Sequence, residues 1–277
     1  MAIIVSELNY YPVKSCAGIG LTTASIGARG VELDREWAII SAKPRKDEAR
    51  HDVLTQRQAP TLCLIKASIK SEGNDPSSVC LEVEGHGRIE VPVSDGKEFE
   101  TVFAWGPVCR GLDQGEDAAN WLSAYLQKDC RLLRFSPSYV RNVDREIAKR
   151  ETDQTGFADD CPFLLLSEES LQDLNTHLPE ALPMNRFRPN IVVKGVEPYA
   201  EDQWKIIRIG NVVFDVLQQC GRCVITTVDQ SNGSKGMEPL HSLAKLRNVN
   251  NKLMFGVHLA HHNNGAISVN DVVEVLQ

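Results

Sequence analysis

The pattern best suited to chemistry is the C-G-R-C of QQCGRCVITTVDQSNG, in which Cys220 and Cys223 stand in a C-x-x-C spacing. Such a pair is half of a structural zinc site, and two further Cys or His ligands must complete it. The segment HLAHH offers His258, His261 and His262. This segment lies farther along the chain from Cys223 than is usual in a compact zinc finger. The apolar neighbours of His258 are typical of a core strand.

A redox dithiol is the second interpretation, but it requires the cysteine pair at the start of a helix, where the helix dipole lowers the thiol pKa. Here the β-branched run VITTVD follows and predicts a strand. Two structural cysteines at a strand edge are the simplest alternative.

Arg222 argues against a purely structural pair, because arginine is hard to bury without an anionic partner. Thiolates prefer soft metals, and guanidinium binds phosphate through two parallel hydrogen bonds. The segment therefore favours a site where an anion and a soft metal meet, although the residues alone leave the three other interpretations open.

The composition indicates a globular protein of one large or two modest domains. The 277 residues are 42% hydrophobic and 24% charged, which is enough apolar material for a sizeable core. The formal net charge of -7 is unfavourable for nucleic-acid binding, which needs a positive face. It still allows a small basic pocket for one phosphorylated ligand.

The eight cysteines are scattered, so we expect most of them to be reduced core residues rather than a disulfide framework. The N-terminal sequence MAIIVSELNYYPVKS lacks the basic start and long apolar stretch of a secretory signal. No apolar run approaches the length of a membrane span. We therefore expect a soluble, cytoplasmic protein without a membrane anchor.

Short segments rich in Val, Ile, Leu and aromatic residues predict strands along most of the chain. They cover residues 3–10, 36–40, 62–69, 79–83, 88–93, 99–104, 131–135, 163–166, 190–193, 204–209, 212–218, 223–228, 253–259 and 266–275. Gly210-Asn211, between two of these runs, predicts a tight hairpin.

Three helices are predicted, in GEDAANWLSAYLQKD, SEESLQDLNTHL and EPLHSLAKLR, with Ser167 as the N-cap of the second. The fold class is therefore α+β and predominantly β. We predict an N-terminal β-rich domain over residues 1–127 and a barrel-like domain over residues 128–277. The polar segment 136–160 reads as a loop or lid between them.

The segment CGRCVITTVDQSNG resembles the C-terminal motif of the MOSC-domain proteins, a family named after the C-terminal domain of molybdenum cofactor sulfurases. Further stretches agree with this family in the same order, and together they span nearly the whole chain. They are YYPVKSC, GVELDREWAII, LTQRQAPTL, FADDCPFLLLSEESLQDLN, NRFRPNIVV and FGVHLA. Within the family, the chain resembles the mitochondrial amidoxime-reducing components and their bacterial relatives.

The resemblance implies a MOSC β-barrel fold with an N-terminal MOSC domain, and a site that binds the molybdenum cofactor, a pterin with a terminal phosphate. Cys223 is implied as the metal ligand and catalytic thiolate, with Cys220 as a neighbour only. The implied cofactor-binding residues are Lys14, Ser15, Arg35, Arg188, Asn190, Gly221, Arg222 and Cys223.

Five further positions are considered separately, and two of them depart from the family pattern. Arg57 is a weaker candidate for cofactor binding, and we expect Arg186 to face solvent. Asp160 and Cys161 stand where relatives have small hydroxyl residues, so the family's roles do not carry over to them. For Asp229 we favour a structural role, since an aspartate before a polar turn commonly caps its own backbone.

The implied activity is a molybdenum-dependent reduction of N-hydroxylated compounds, in which N–OH becomes N–H and water is released. The sequence carries neither an iron–sulfur cysteine spacing nor a dinucleotide-binding glycine pattern. Electrons are therefore expected from a separate protein, such as a cytochrome of the b5 type or a flavin or iron–sulfur reductase. The alternative is a carrier that binds the molybdenum cofactor without turnover.

Overall fold

The computed structural model of the chain describes residues 2–46, 49–73, 75–102 and 108–277. The helices are α1 (Glu116–Leu126), α2 (Glu168–Thr176) and α3 (Leu240–Leu246), with 3₁₀ turns at Pro60–Leu64, Met184–Arg186, Ala200–Gln203 and Val224–Thr227. None of the helices in these ranges is long and apolar enough to cross a membrane.

The strands of the first half are β1 (Ile4–Tyr10), β2 (Ile19–Leu21), β3 (Thr23–Gly27), β4 (Gly30–Val31), β5 (Trp37–Pro44), β6 (His51–Val53), β7 (Lys66–Glu72), β8 (Asp75–Val83), β9 (Gly87–Pro92), β10 (Glu98–Val102) and β11 (Val108–Asp113). Those of the second half are β12 (Cys130–Phe135), β13 (Phe163–Ser167), β14 (Ile191–Lys194), β15 (Ile206–Ile209), β16 (Val212–Gly221), β17 (Asn248–Val249), β18 (Lys252–His261), β19 (Gly265–Ser268) and β20 (Val273–Val275).

Strands dominate the molecule, which confirms the predicted α+β, predominantly β fold class. The largest assembly is a nine-stranded sheet in the order β2-β1-β14-β13-β18-β16-β15-β20, with β17 attached to β18. Its centre is β13, in which every residue is buried, as expected of a strand covered on both faces. Phe163 and Leu165 of β13 pack with Val257 and Leu259 of β18 in the main core.

A closed barrel is formed by β10, β11, β12, β5 and β6. Trp37 and Ile39 of β5 are fully buried in a second core, which also includes Leu122 of α1. Beside the barrel, β7, β8 and β9 form a separate three-stranded sheet.

Strands from the first and second halves of the chain pair with each other in these sheets and in the barrel. Strand β1 pairs with β14 and β3 pairs with β19, so the first residues lie among strands of the second half. Strand β12, in turn, pairs with β5 of the barrel. The boundary between residues 127 and 128 stays a prediction.

Two local predictions are confirmed. Gly210 adopts φ +56° in the tight connection between β15 and β16. Ser167 caps α2 by accepting a hydrogen bond from the backbone N–H of Ser170 at 3.1 Å.

The predicted strand over residues 223–228 is wrong, because Val224–Thr227 forms a 3₁₀ turn. The hydroxyl of Thr226 donates to the carbonyl of Cys223 at 2.9 Å, and that of Thr227 donates to the carbonyl of Val224 at 2.8 Å. Such bonds to the carbonyl three residues back compete with strand pairing and overcome the β propensity of the threonines.

Two further strand predictions are only partly correct. In the segment 62–69 the chain first makes the 3₁₀ turn Pro60–Leu64, whose proline starts the turn, and β7 follows it. The segment 266–275 is split into β19 and β20 at a turn in which Asn270 has φ +74° and Asp271 Oδ2 accepts from the Ser268 N–H at 2.7 Å. The end of the predicted strand 99–104 lies outside the described residues.

The pairing of β16 with β18 is interrupted twice by bulges. Gln218 faces His258, Gln219 faces Val257, and Gly221 then faces Met254, so β18 carries one extra residue at this point. Gly256 lies within that extra stretch with φ +77°, and a Cβ there would meet the Leu165 carbonyl oxygen at 2.8 Å. Bulges of this kind re-aim side chains and are frequent beside functional sites.

We predict that Gly256→Ala destabilises the protein far more than Gly85→Ala. Both glycines have φ +77°, but the Gly85 Cβ would meet no heavy atom of the described residues within 4 Å. The left-handed backbone costs about 1 kcal/mol at either position, and the contact with Leu165 adds roughly 1–3 kcal/mol at Gly256. Urea unfolding of both variants measures the difference, and equal losses would contradict the assigned close approach.

Candidate functional site

One cavity of about 880 Å³ is lined by every residue that the sequence predicts for the cofactor site. These are Lys14, Ser15, Arg35, Arg188, Asn190, Gly221, Arg222 and Cys223. The weaker candidate Arg57 lines the same cavity, as do Asp160 and Cys161. The structure thus brings the predicted residues together, and their roles in binding stay a prediction.

Lys14 is almost completely buried, and the segment 157–159 surrounds its ammonium group. Its Nζ donates to the Phe157 carbonyl at 2.7 Å and forms an ion pair with Asp159. Burial lowers the pKa of Lys14 although the carboxylate opposes this shift. Burial raises the pKa of Asp159, but Lys14 and Arg57 outweigh it and hold that pKa well below its usual range.

Arg141 fixes the loop that carries Asp159. Its Nη1 donates to the carbonyls of Gly156 at 2.7 Å and Ala158 at 2.6 Å, and its Nη2 donates to the Asp159 carbonyl at 2.5 Å. Part of the polar segment 136–160 therefore forms a wall of the cavity, held by one buried guanidinium.

Tyr11 packs against two of the predicted arginines. The guanidinium carbons of Arg35 and Arg188 lie 4.3 Å and 4.2 Å from its ring centroid. Its hydroxyl donates to the Pro189 carbonyl at 3.1 Å, and burial raises its pKa to about 12 although both arginines oppose the shift. The neutral ring thus contacts both guanidinium groups, in addition to the ion pair between Arg35 and Asp34.

Asn190 connects the two halves of the chain at the floor of the cavity. Its Oδ1 accepts from Arg35 Nη1 at 3.1 Å and from the Leu164 N–H at 3.3 Å, and its Nδ2 donates to the Asn9 carbonyl at 3.2 Å. Arg35 also pairs with Asp34. Asn190 thus orients Arg35, and its role in cofactor binding stays a prediction.

A glutamine pair continues this connection. Gln56 Nε2 donates to the Ser15 carbonyl at 2.8 Å, and the side chains of Gln56 and Gln230 bond each other at 3.1 Å and 3.0 Å. Gln230 Oε1 accepts from Arg188 Nη1 at 3.3 Å. Ser15, in the left-handed region at φ +68°, is fixed through its backbone carbonyl.

Cys223 is the one partly exposed cysteine among the eight, while the other seven are buried. Arg57 Nη2 donates to its Sγ at 3.2 Å. The 3₁₀ turn described above begins directly after Cys223 and sets the direction of the chain there. A sulfur that lines a cavity and is held by one guanidinium is suited to bind a soft metal.

Arg222 and Cys220 bond each other rather than Cys223. Arg222 Nη1 donates to Cys220 Sγ at 3.0 Å, and its Nη2 donates to the Phe187 carbonyl at 2.7 Å. Burial raises the pKa of Cys220, but Arg222 and His258 outweigh it, so that the pKa is about 7. The sequence motif did not distinguish this thiol from a structural one.

Two of the three histidines considered for a zinc site, His261 and His262, have other partners. His262 Nε2 lies 3.0 Å from Asp215 Oδ2, and the His261 ring packs edge-on against Phe163 at 5.6 Å. In the part of the chain that the structure describes, no three His, Cys, Asp or Glu residues are grouped as metal ligands. The geometry does not support the Cys2His2 interpretation.

The prediction that Arg186 faces solvent is wrong, because its side chain is only 11% exposed. It donates to Asp229 Oδ2 at 2.8 Å and to the Thr227 carbonyl at 3.1 Å. Asp229 also accepts from the N–H and hydroxyl of Ser231 at 2.8 Å and 2.6 Å, which confirms its turn-capping role. The ion pair with Asp229 keeps Arg186 out of solvent. Because Asp229 lies 43 residues away along the chain, no local sequence pattern indicates this pair.

The charge balance of the cavity fits an anionic ligand. Its cations Lys14, Arg35, Arg57, Arg188, Arg222 and Lys252 outnumber its carboxylates Asp159 and Asp160. Two buried guanidinium nitrogens, Arg188 Nη2 and Arg222 Nε, have no hydrogen-bond partner within the described ranges. A buried donor without a partner is costly, so a bound anion such as a phosphate would satisfy them.

Comparisons with known proteins agree with this arrangement. Residues 2–129 match the MOSC N-terminal beta barrel domain, and residues 152–274 match the MOSC domain. Mitochondrial amidoxime-reducing component 1 is 34% identical in both Mus musculus and Homo sapiens, over 98% of this chain and 82% of each relative. Molybdenum cofactor sulfurase of Danio rerio is 31% identical over 93% of this chain, which spans only 32% of that protein.

We predict that the cavity binds inorganic pyrophosphate, and that Arg188→Gln weakens this binding at least tenfold. Arg188 lines the cavity, whereas Arg186, two residues earlier, does not line it and is bonded to Asp229. Arg186→Gln is therefore the matched control and should leave the affinity unchanged. Isothermal titration calorimetry at low salt measures both, and an equal effect of the two variants would contradict the assignment.

Proposed function

Because the chain belongs to the MOSC family that includes the mitochondrial amidoxime-reducing components, we propose that it is a molybdenum-cofactor-dependent oxidoreductase. Its substrates are small N-hydroxylated compounds, which it reduces from N–OH to N–H with release of water. The observation that carries this proposal is Cys223, a partly exposed thiol in a cavity whose charged groups are mostly cations.

We assign the residues of the cavity two roles toward such a cofactor. Cys223 provides the sulfur ligand for the metal, with Arg57 holding its Sγ. Lys14, Arg188 and Arg222 provide positive charge for the phosphate end. When bound, the molybdenum cofactor supplies the two-electron chemistry that amino-acid side chains lack.

The protein contributes orientation and a preformed charge distribution. The Tyr11 ring, Asn190 and the glutamine pair hold Arg35 and Arg188 before any ligand arrives, so little reorganisation is needed on binding. The loop held by Arg141 separates Lys14 from solvent. Electrons come from a separate redox protein, of the cytochrome b5, flavin or iron–sulfur type, and the cytoplasmic location stays a prediction.

A carrier that binds the cofactor without turnover is the second candidate. The similarity to molybdenum cofactor sulfurases of Danio rerio and Arabidopsis thaliana, over 93% and 92% of this chain, favours it. Both functions require the same cationic cavity and differ in whether bound cofactor turns over.

The proposal predicts that purified protein loaded with the cofactor contains about one molybdenum per chain by elemental analysis. With a chemical electron donor it should reduce benzamidoxime. Cys223→Ser should lose at least 100-fold in kcat because the metal loses its protein ligand. Cys80→Ser, a buried cysteine of β8 outside the cavity, is the control and should keep full activity.

If the unaltered protein contains molybdenum but does not reduce benzamidoxime, the carrier function is favoured. Equal activity of Cys223→Ser and the unaltered protein would contradict the assignment of the metal ligand.

A further inference from the structure

A group of exposed apolar side chains lies close to Cys223 in the chain. Among the described residues, eight large hydrophobic side chains are exposed, and four of them fall between residues 224 and 249. These four are Val224, Met237, Leu246 and Val249. Single exposed apolar residues are ordinary on a protein surface, but a contiguous group marks a surface that another molecule covers. The function proposed above gives these residues no role.

The elements that carry these side chains pack against one another. The 3₁₀ turn that begins with Val224 contacts α3, and α3 ends at Leu246 and also packs against β17 and β18. On another side of the same turn, the Gly236 N–H donates to the Thr227 carbonyl at 3.0 Å. This bond places Met237, the next residue along the chain, beside the turn. The apolar side chains therefore belong to one continuous part of the surface.

This part of the surface adjoins the cavity at two points. In the short pair of β17 with β18, Val249 lies opposite Lys252, which lines the cavity. Lys235 Nζ donates to the carbonyl of Arg57 at 2.8 Å, and the Arg57 guanidinium bonds Cys223 Sγ. A protein that covered these residues would therefore lie directly beside the thiol proposed as the metal ligand.

The charges among the apolar side chains are mostly positive. The surface carries three exposed lysines, Lys235, Lys245 and Lys252. Over residues 224–252 the carboxylates are Asp229, which pairs with Arg186, and Glu238, which accepts from a backbone N–H of α3. The whole chain, in contrast, has a formal net charge of -7. A positive surface on an acidic protein favours an acidic partner, because opposite charges steer association and like charges oppose it.

We propose that residues 224, 235–237, 245–249 and 252 form the docking surface for an acidic electron-transfer protein. This inference rests on the proposed function, in which electrons reach the site at Cys223 from a separate protein. The partner is oxidised by two electrons per turnover, and these electrons with two protons from solvent convert N–OH to N–H and water. A small apolar area among lysines suits such a partner, since redox complexes are transient and bury little surface.

Docking can be tested on cofactor-free protein, with the soluble haem domain of a cytochrome b5, a small acidic redox protein, as the probe. An NMR titration at about 150 mM salt should show weak binding, because screening over about 8 Å leaves the charges near the interface in control. Lys245→Glu should weaken this binding about tenfold, since it sets a like charge against the partner. Lys43→Glu is the matched control, at an exposed lysine of β5 outside the docking surface, and should change nothing.

In loaded protein, the choice of electron donor separates docking from chemistry. Lys245→Glu should raise the KM for the reduced haem domain about tenfold in benzamidoxime reduction, because the two proteins associate less well. The same variant should keep its rate with reduced methyl viologen, a small donor that does not need the docking surface. A purely structural effect of the substitution would lower the rate with both donors.

The outcomes distinguish the docking surface from other uses of the same residues and from the proposed function. If the unaltered protein does not bind the haem domain, or Lys245→Glu binds it as tightly, the inference is overturned while the proposed function stands. A dimer in light scattering that Leu246→Glu separates would show that a second copy covers the surface, and this too would overturn it. If loaded, unaltered protein gives no turnover with methyl viologen, the proposed function itself fails and the inference falls with it.

Discussion

The structure around the cavity depends on keeping several positive charges out of water. Lys14 and Arg188 are more than nine-tenths buried, and an unsatisfied buried charge costs far more than a typical hydrogen bond contributes. Among the described residues, Asp34 pairs with Arg35, and Asp159 pairs with Lys14 and Arg57. Backbone carbonyl groups and the Tyr11 ring provide the other contacts to these positively charged side chains. The arrangement leaves the guanidinium nitrogens Arg188 Nη2 and Arg222 Nε without a hydrogen-bond partner among the described residues, and a bound anion would satisfy them.

The sequence predicted which residues line the cavity better than it predicted the hydrogen bonds and ion pairs among them. The motif residues Lys14, Arg35, Arg188 and Cys223 all line one cavity, because each stands in a short segment whose pattern is recognisable on its own. The motifs do not indicate which of these residues bond each other. Asp159 bonds Lys14 across 145 residues, and no local rule connects positions so distant in the chain.

Element type was predictable wherever side-chain packing decides the backbone conformation. The buried run of β13 and the capped helix α2 follow from hydrophobic pattern and capping chemistry alone. The prediction failed at Val224–Thr227, where threonine hydroxyls bond the backbone and close a turn against the β propensity of the residues. The bulge at Gly256 was also invisible, since it depends on the close approach of β13.

The pairing of β1 with β14 constrains how the chain folds while it is being synthesised. Ser6 and Val192, which contact each other in this pair, are 186 residues apart. Strand β1 must therefore leave the ribosome long before β14 and remain without this partner until the intervening chain has followed. An unpaired strand edge is prone to pairing with other chains, so the slow arrival of its partner exposes the nascent protein to misassembly. Completion of the nine-stranded sheet is accordingly a late step in folding, because the pairing of β1 with β14 joins strands from both halves of the chain.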